Sequence, residues 1–396
     1  MLPRIKIKFL NGQLGVTEES KDGLAALVTG ATAVSSTFEL NKAYTIMRKE
    51  GLDSLGVTSE NNPSLVKLVE QFYSVAEEGT ELVVFGVEKT TKMTALCDKT
   101  TGKLRDLIMQ MKGELRAIVV ARDPGEEEVS VTEGLDPDVL TAVPKAQEIA
   151  EWATDEMYAP VVVALEGRSY SDAAELKDLT ELECNRVAVV IGDVEASSEG
   201  AAMGYFAGKF AVQPVQRNIG RVRDGALGAS VMYLGDKKVE DAMDDIATIY
   251  DKGYITPRTY AGRTGYFWTD DCMATATTDD YAHLTNRRVA DKAYRIAYDT
   301  LLNYMLEEVD VNTDGTMQDA ILKSWQADVE GAIDEQMTAN GELSADDAAS
   351  TGGCKCTIDA SQNVLSTSTV KAVLKIRPFG YARYIDVELG FLVEEA

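Results

Sequence analysis

The chain has 396 residues, of which 45% are hydrophobic and 26% charged, and carries a formal net charge of −26. That length accommodates two or three domains with their own cores, whereas so large an acidic excess excludes the basic footprint that nucleic-acid binding needs. No run of eighteen apolar residues occurs and lysines interrupt the first nine positions, so neither membrane insertion nor a secretory leader is expected.

In chain order, Arg4-Ile5-Lys6-Ile7-Lys8-Phe9 alternates apolar and basic residues. As a strand it places Ile5, Ile7 and Phe9 on one face and Arg4, Lys6 and Lys8 on the other. The turn residues Asn11-Gly12 follow. From Asp22 to Asp193, apolar runs at 24–28, 82–87, 115–121, 161–165 and 187–191 alternate with helical stretches at 63–78 and 137–157. Strands apolar on both faces that alternate with helices predict a doubly wound, mainly parallel sheet.

Such a sheet offers a ligand crevice at its strand ends, where Asp123 and Asp193 are the candidate metal or acid–base groups of an enzyme reading. The dinucleotide fingerprint G-x-G-x-x-G does not occur. Gly204 and Gly208 lack the spacing of a phosphate loop and read as a small-residue face for close helix packing.

After Gly225 the texture becomes α+β. A helix is expected over 238–250, an aromatic strand over 264–268, two long helices over 281–308 and 317–340, and strands over 357–359 and 364–378. The resulting division is an N-terminal strand arm (1–20), an α/β domain (21–210), an α+β assembly domain (211–380) and a C-terminal strand arm (381–396). The boundary between the two domains falls between Gly192 and Gly225.

Five scattered cysteines read as reduced thiols rather than a disulfide framework. Cys354-Lys355-Cys356 reads as strand, with its sulfurs on alternate faces, rather than as a metal clip. The one histidine, His283, reads as a cap or surface residue, and its solitude removes most parts of a zinc site or a nucleophilic triad. Asp310, Asn312 and Asp314 followed by Gly315 match the first half of a calcium loop, but position twelve is Ile321 instead of Glu. A helix-to-helix turn with Thr316 or Asp314 as cap is therefore favoured. No cofactor is expected.

Arg288, Lys292 and Arg295 form one basic face on the first long helix, read by default as solvated or paired with Asp291 and Asp299. The opposite side, Ala290, Ala293, Ile296, Ala297, Leu301 and Tyr304, should pack on the core. At the end of the chain Ile385, Val387 and Leu389 alternate with Asp386 and Glu388. Pairing this strand with residues 4–9 would align two apolar stripes and set acids against bases, each cross-strand pair contributing about 0.2 to 1 kcal/mol. Within one molecule that closes a sheet; between molecules it makes a polymer.

The segments Gly262-Arg263-Thr264-Gly265-Tyr266-Phe267-Trp268, Asp279-Asp280-Tyr281, Asn286-Arg287-Arg288-Val289-Ala290-Asp291-Lys292-Ala293, Gly341-Glu342-Leu343-Ser344 and Ile376-Arg377-Pro378-Phe379-Gly380-Tyr381 resemble the sheath subunits of contractile phage tails and contractile injection systems. The branch in question is one carried as a domain of unknown function in Bacteroidetes elements. The resemblance is concentrated over residues 253–391 and fits the order of elements along the whole chain. It implies a structural protein, not an enzyme: hexameric rings stacked around an inner tail tube, joined by exchanged terminal strands, with baseplate and terminator or cap proteins as further partners. Assembly in the bacterial cytoplasm and residence in a phage tail or injection particle are implied as well. It also implies that Arg288, Lys292 and Arg295 face the tube. The rivals are the α/β enzyme and another polymerising virion or shell protein.

Overall fold

The structure is a computed structural model that describes residues 21–123, 130–346 and 352–389. The expected strand at residues 4–9 lies outside the described residues.

Strand β1 (Ala25–Gly30) is followed by β2 (Ala43–Ile46), the short helix α1 (Gly51–Ser54), α2 (Pro63–Tyr73), β3 (Leu82–Val87), α3 (Met93–Leu96) and α4 (Lys103–Met111). Then come β4 (Ala117–Ala121), α5 (Pro137–Asp155), β5 (Val162–Glu166), the two-residue β6 (Glu183–Cys184), β7 (Val187–Val190) and α6 (Met203–Val212). Six of these strands form one sheet in the order β2-β3-β1-β4-β5-β7, parallel throughout except for the antiparallel edge strand β2. The five parallel strands are buried at every residue, as their unbroken apolar runs require. Strand β2 escapes a sequence reading because half-buried Ala43 and Tyr44 and exposed Thr45 carry little apolar pattern.

Helices α2 and α6 pack on each other and against β1. The small-residue face expected at Gly204 and Gly208 is what permits this. A Cβ at Gly204 would lie 2.1 Å from the Leu68 carbonyl oxygen, and one at Gly208 2.9 Å from that of Phe72, both on α2.

The second half contains β8 (Tyr233–Leu234), β9 (Lys237–Lys238), α7 (Met243–Asp251), β10 (Pro257–Arg258), β11 (Phe267–Trp268) and β12 (Ala274–Thr275). It continues with α8 (Leu284–Leu302), α9 (Asp319–Ile333), β13 (Cys354–Ile358), the short α10 (Val364–Thr367) and β14 (Ala372–Ile376). One hydrophobic core runs from Leu24 to Leu284, so most of the chain between Gly225 and α8 packs on the sheet domain. A second core joins α8, α9 and the β13–β14 hairpin through Val289, Ala293, Ile296, Val329, Ile333 and Cys356. Ala293 and Ile296 thus bury the expected apolar side of α8.

Cys354 and Cys356 lie on β13, as expected of a strand, but on the same face: Cys356 is buried and Cys354 half-buried, while Lys355 points out. Residues two apart in a strand share a face, so alternation of the two sulfurs was the wrong expectation. Cys97, Cys184 and Cys272 are also buried.

Candidate functional site

Three places could carry function: the crevice at the strand ends, the turn at 310–316, and the points where the two terminal segments leave the body.

The crevice holds a cavity of about 590 Å³ over the ends of β1, β4 and β5. Asp193 accepts from Lys67 Nζ at 2.8 Å and Ser198 Oγ at 2.5 Å, and Asp123 pairs with Lys89 at 3.3 Å. Both acids of the enzyme reading are therefore committed to ion pairs, Asp193 with a lysine of α2 and Asp123 with one just past β3. Between them Glu166 accepts from the backbone N–H groups of Arg122 and Ala201, each at 2.9 Å. Burial pushes its carboxyl up to about 7, against the opposing effects of Arg168 and the two N–H donors. A carboxyl that keeps its proton in the fold while the unfolded chain has lost it makes stability fall as pH rises. Between about pH 4.5 and 7 the wild type should lose stability, and Glu166→Gln should flatten that slope; denaturant midpoints across pH 4 to 8 measure it.

In the 310–316 turn, Asp314 Oδ1 accepts from the Thr316 N–H at 3.0 Å and its hydroxyl at 2.7 Å, while Asn312 Nδ2 donates to Thr316 Oγ1 at 3.0 Å. Gly315 takes the left-handed φ of 82° that closes the turn. Helix α9 begins three residues after Thr316, with Gln318 at its N-cap, so neither Thr316 nor Asp314 caps it as expected. The side chains satisfy their own turn. Asp310 Oδ groups are not part of it; its carbonyl accepts from the Gln318 N–H at 3.1 Å.

The basic face of α8 is not the solvated strip that a tube contact requires. Arg288 and Lys292 are buried and Arg295 nearly so. Lys292 Nζ meets Asp22 Oδ2 at 2.6 Å and Glu342 Oε2 at 2.7 Å. Arg295 donates to Asp22 Oδ1 at 2.7 Å, and Arg288 to the carbonyl oxygens of Gln213 at 2.8 Å and Asp22 at 3.3 Å. The Arg288 guanidinium also lies 4.1 Å from the Phe210 ring centroid, and burial pulls it down to about 10, still charged at neutral pH. Removal from water is tolerable only because each cation has an anion, a carbonyl or a ring face. Asp291, expected to pair with this face, instead holds Arg186 in a two-pronged buried contact at 3.0 and 3.1 Å. The candidate tube-facing residues thus form an internal hub around Asp22, where the N-terminal segment enters the body.

A second hub holds the C-terminal segment. Asp271, fully buried, accepts from the Thr285 N–H at 2.8 Å and so caps the N-terminus of α8. It also accepts from Asn218 Nδ2 at 2.8 Å and faces His283 Nδ1 at 3.2 Å. His283 stands at the N-cap position, as expected, although the capping oxygen belongs to Asp271. Arg383 Nε donates to Asp270 Oδ2 at 2.8 Å and its Nη2 to Asp271 Oδ1 at 3.3 Å, while the Tyr381 hydroxyl donates to the Gln216 carbonyl at 2.6 Å. Asp270, Cys272 and His283 have ligating atoms within 4.8 Å of one another, close enough to share a metal ion. The guanidinium of Arg383 already supplies the cation that the two carboxylates need. Among the described residues, 377–389 joins no ladder, and past Arg383 the side chains of Ile385, Val387 and Leu389 are 76%, 78% and 97% exposed.

Sequence reasoning missed Asp22, Asp270, Asp271 and Arg383. Two adjacent acids after an aromatic strand carry no signal of their own.

The family described as DUF2586 matches nearly the whole chain, its N-terminal domain over residues 2–272 and its C-terminal domain over 280–395. The chain belongs to the DUF2586 family. No curated protein sequence matches this DUF2586 chain. Its fold is that of contractile sheath proteins. A chain of the anti-feeding prophage helical sheath in its contracted state superposes with a TM-score of 0.65 at 15% identity, covering 98% of this chain and 99% of that one. A chain of the six-fold symmetrised anti-feeding prophage baseplate gives 0.64 at 14%, with 99% of both covered. A chain of the PVC extracellular contractile injection system sheath complex, also contracted, gives 0.58 at 13%, with 100% and 98% covered. Among the described residues of the DUF2586 chain, no helix is long and apolar enough to cross a membrane.

Proposed function

We propose that the protein is a structural subunit of a contractile sheath, which stacks as hexameric rings around an inner tube and contracts to drive that tube through a target envelope. The observation that carries this reading is a whole-chain sheath fold ending in a strand-patterned segment whose apolar side, Ile385, Val387 and Leu389, lies exposed. A segment of that pattern fits as an added strand on a neighbour's sheet edge. Residues 4–9, with their alternating bases, suit the acidic side of the same segment in an adjacent copy.

In this reading residues 1–20 and 381–396 are the exchanging arms, 21–210 a doubly wound α/β body and 211–380 the assembly part. The partners are further copies, the inner tube protein, the baseplate and a terminator or cap. Assembly takes place in the bacterial cytoplasm, before the particle is released or fired. Energy for contraction resides in the metastable extended polymer, so the subunit itself performs no catalysis.

Negative-stain electron microscopy of the full chain beside a variant lacking Met1–Phe9 tests the proposal. Striated hollow cylinders or six-fold rings should form with the full chain and vanish on truncation. Small uniform particles from both would overturn it.

A further inference from the structure

Both hubs lie on one helix. At its N-terminus α8 receives Asp271, which also holds Arg383 at the root of the C-terminal arm. Further along, Arg288, Lys292 and Arg295 hold Asp22 at the root of the N-terminal arm. From Thr285 to Arg295 is roughly 15 Å of helix at 1.5 Å per residue. Within the second set, between Arg288 and Lys292, Asp291 pins the same helix to Arg186, the residue before β7.

The connecting segment 213–218 repeats the arrangement alongside. Gln213 takes Arg288 through its carbonyl oxygen, Gln216 takes Tyr381, and Asn218 donates to both Asp270 and Asp271. Of these contacts Gln216 with Tyr381 ends directly on the C-terminal root, while Gln213 and Asn218 hold the groups, Arg288, Asp270 and Asp271, that grip the two roots. Release at the N-terminal root strips Lys292 and Arg295 on α8 of an anion, and release at the C-terminal root strips Asp271, which caps α8, of its cation; an uncompensated buried ion costs several kcal/mol.

We propose that α8 is a tie between the two arms, so that loosening one arm root loosens the other. Asp22 and Asp271 act as positioning residues through α8, and force entering a subunit at one arm leaves it at the other along this helix rather than through the parallel sheet. The mechanical role rests on the sheath reading; the coupling between the roots does not.

The two root residues Lys21 and Arg383 are both trypsin sites, which makes the coupling measurable in the full-length protein. Cleavage after each is followed by mass spectrometry under native conditions, with cleavage after the buried Arg186 reporting global unfolding. Asp22→Asn should accelerate cleavage after Lys21 and, though it touches nothing at the other hub, also after Arg383, by about tenfold, within the range usual for coupled sites. Asp271→Asn should accelerate cleavage after Lys21 by a similar factor. Acceleration confined to the mutated end overturns the tie. If Asp22→Asn cleaves as fast after Arg186, Lys292→Gln replaces it, because Arg295 still faces Asp22 and the body stays folded. The assay needs no polymer, so absence of cylinders would defeat the sheath reading alone, and cylinders built from uncoupled roots would defeat the tie alone.

Discussion

Replacing Ile385, Val387 and Leu389 together with aspartate is expected to abolish polymer formation while leaving the unfolding midpoint of the isolated subunit almost unchanged. All three side chains are largely exposed in the single chain, so their removal forfeits little there, and exposed substitutions usually change stability by about 0.5 kcal/mol or less. In an added strand the same three would be buried. At roughly 1.5 to 3 kcal/mol for each buried aliphatic side chain, their loss removes about 5 kcal/mol or more per arm, a factor above about a thousand in association. Sedimentation velocity and electron microscopy measure the first effect and thermal melting the second. Cylinders formed by the triple variant would exclude the C-terminal arm as the joint.

The second large effect is expected at Asp271. Asp271→Ala should destabilise the subunit by about 3 to 5 kcal/mol, the usual range when one partner of a buried ion pair is removed, as measured by urea unfolding. The carboxylate serves Thr285, Asn218, His283 and Arg383 at once, and alanine leaves all four without it. Burial alone would push its carboxyl up. Hydrogen bonds from His283 and Asp270, the His283 charge and the Thr285 N–H outweigh that and hold it below the ordinary carboxylate range. A lowered folded pKa contributes stability that is present above the unfolded value near pH 4 and is lost as pH falls through the folded one. The gap between wild type and Asp271→Ala should therefore narrow in strong acid. A gap independent of pH would mean that packing, not charge, is what alanine removes.

The parallel sheet was legible because its strands are apolar on both faces, a pattern that hydrophobic runs report directly. The close contact of α6 with α2 was legible for a similar reason, since Gly204 and Gly208 leave a visible groove in the helix face. The hubs were not. Arg288, Lys292 and Arg295 fall on one face by helical spacing alone, and that spacing is the same whether the face meets solvent or a buried carboxylate. Their partner Asp22 lies 266 and 273 residues away along the chain. Long-range charge pairing of this kind leaves no local trace, so the stripe read by default as solvated or locally paired, and by resemblance as a contact for the tube. The C-terminal strand pattern was legible residue by residue, but its exposure in the single chain is a tertiary fact.

The cysteines carry a consequence for durability. Burial pushes the Cys184 thiol up to about 11 and that of Cys354 to about 12, and raises those of Cys97, Cys272 and Cys356 as well. Only the thiolate attacks oxidants or other disulfides, and at pH 8 a thiol of pKa 11 is ionised to roughly one part in a thousand. Thiols held protonated and out of reach resist stray crosslinking between subunits packed at high local concentration, so a particle made from them would not stiffen through disulfides in aerobic surroundings.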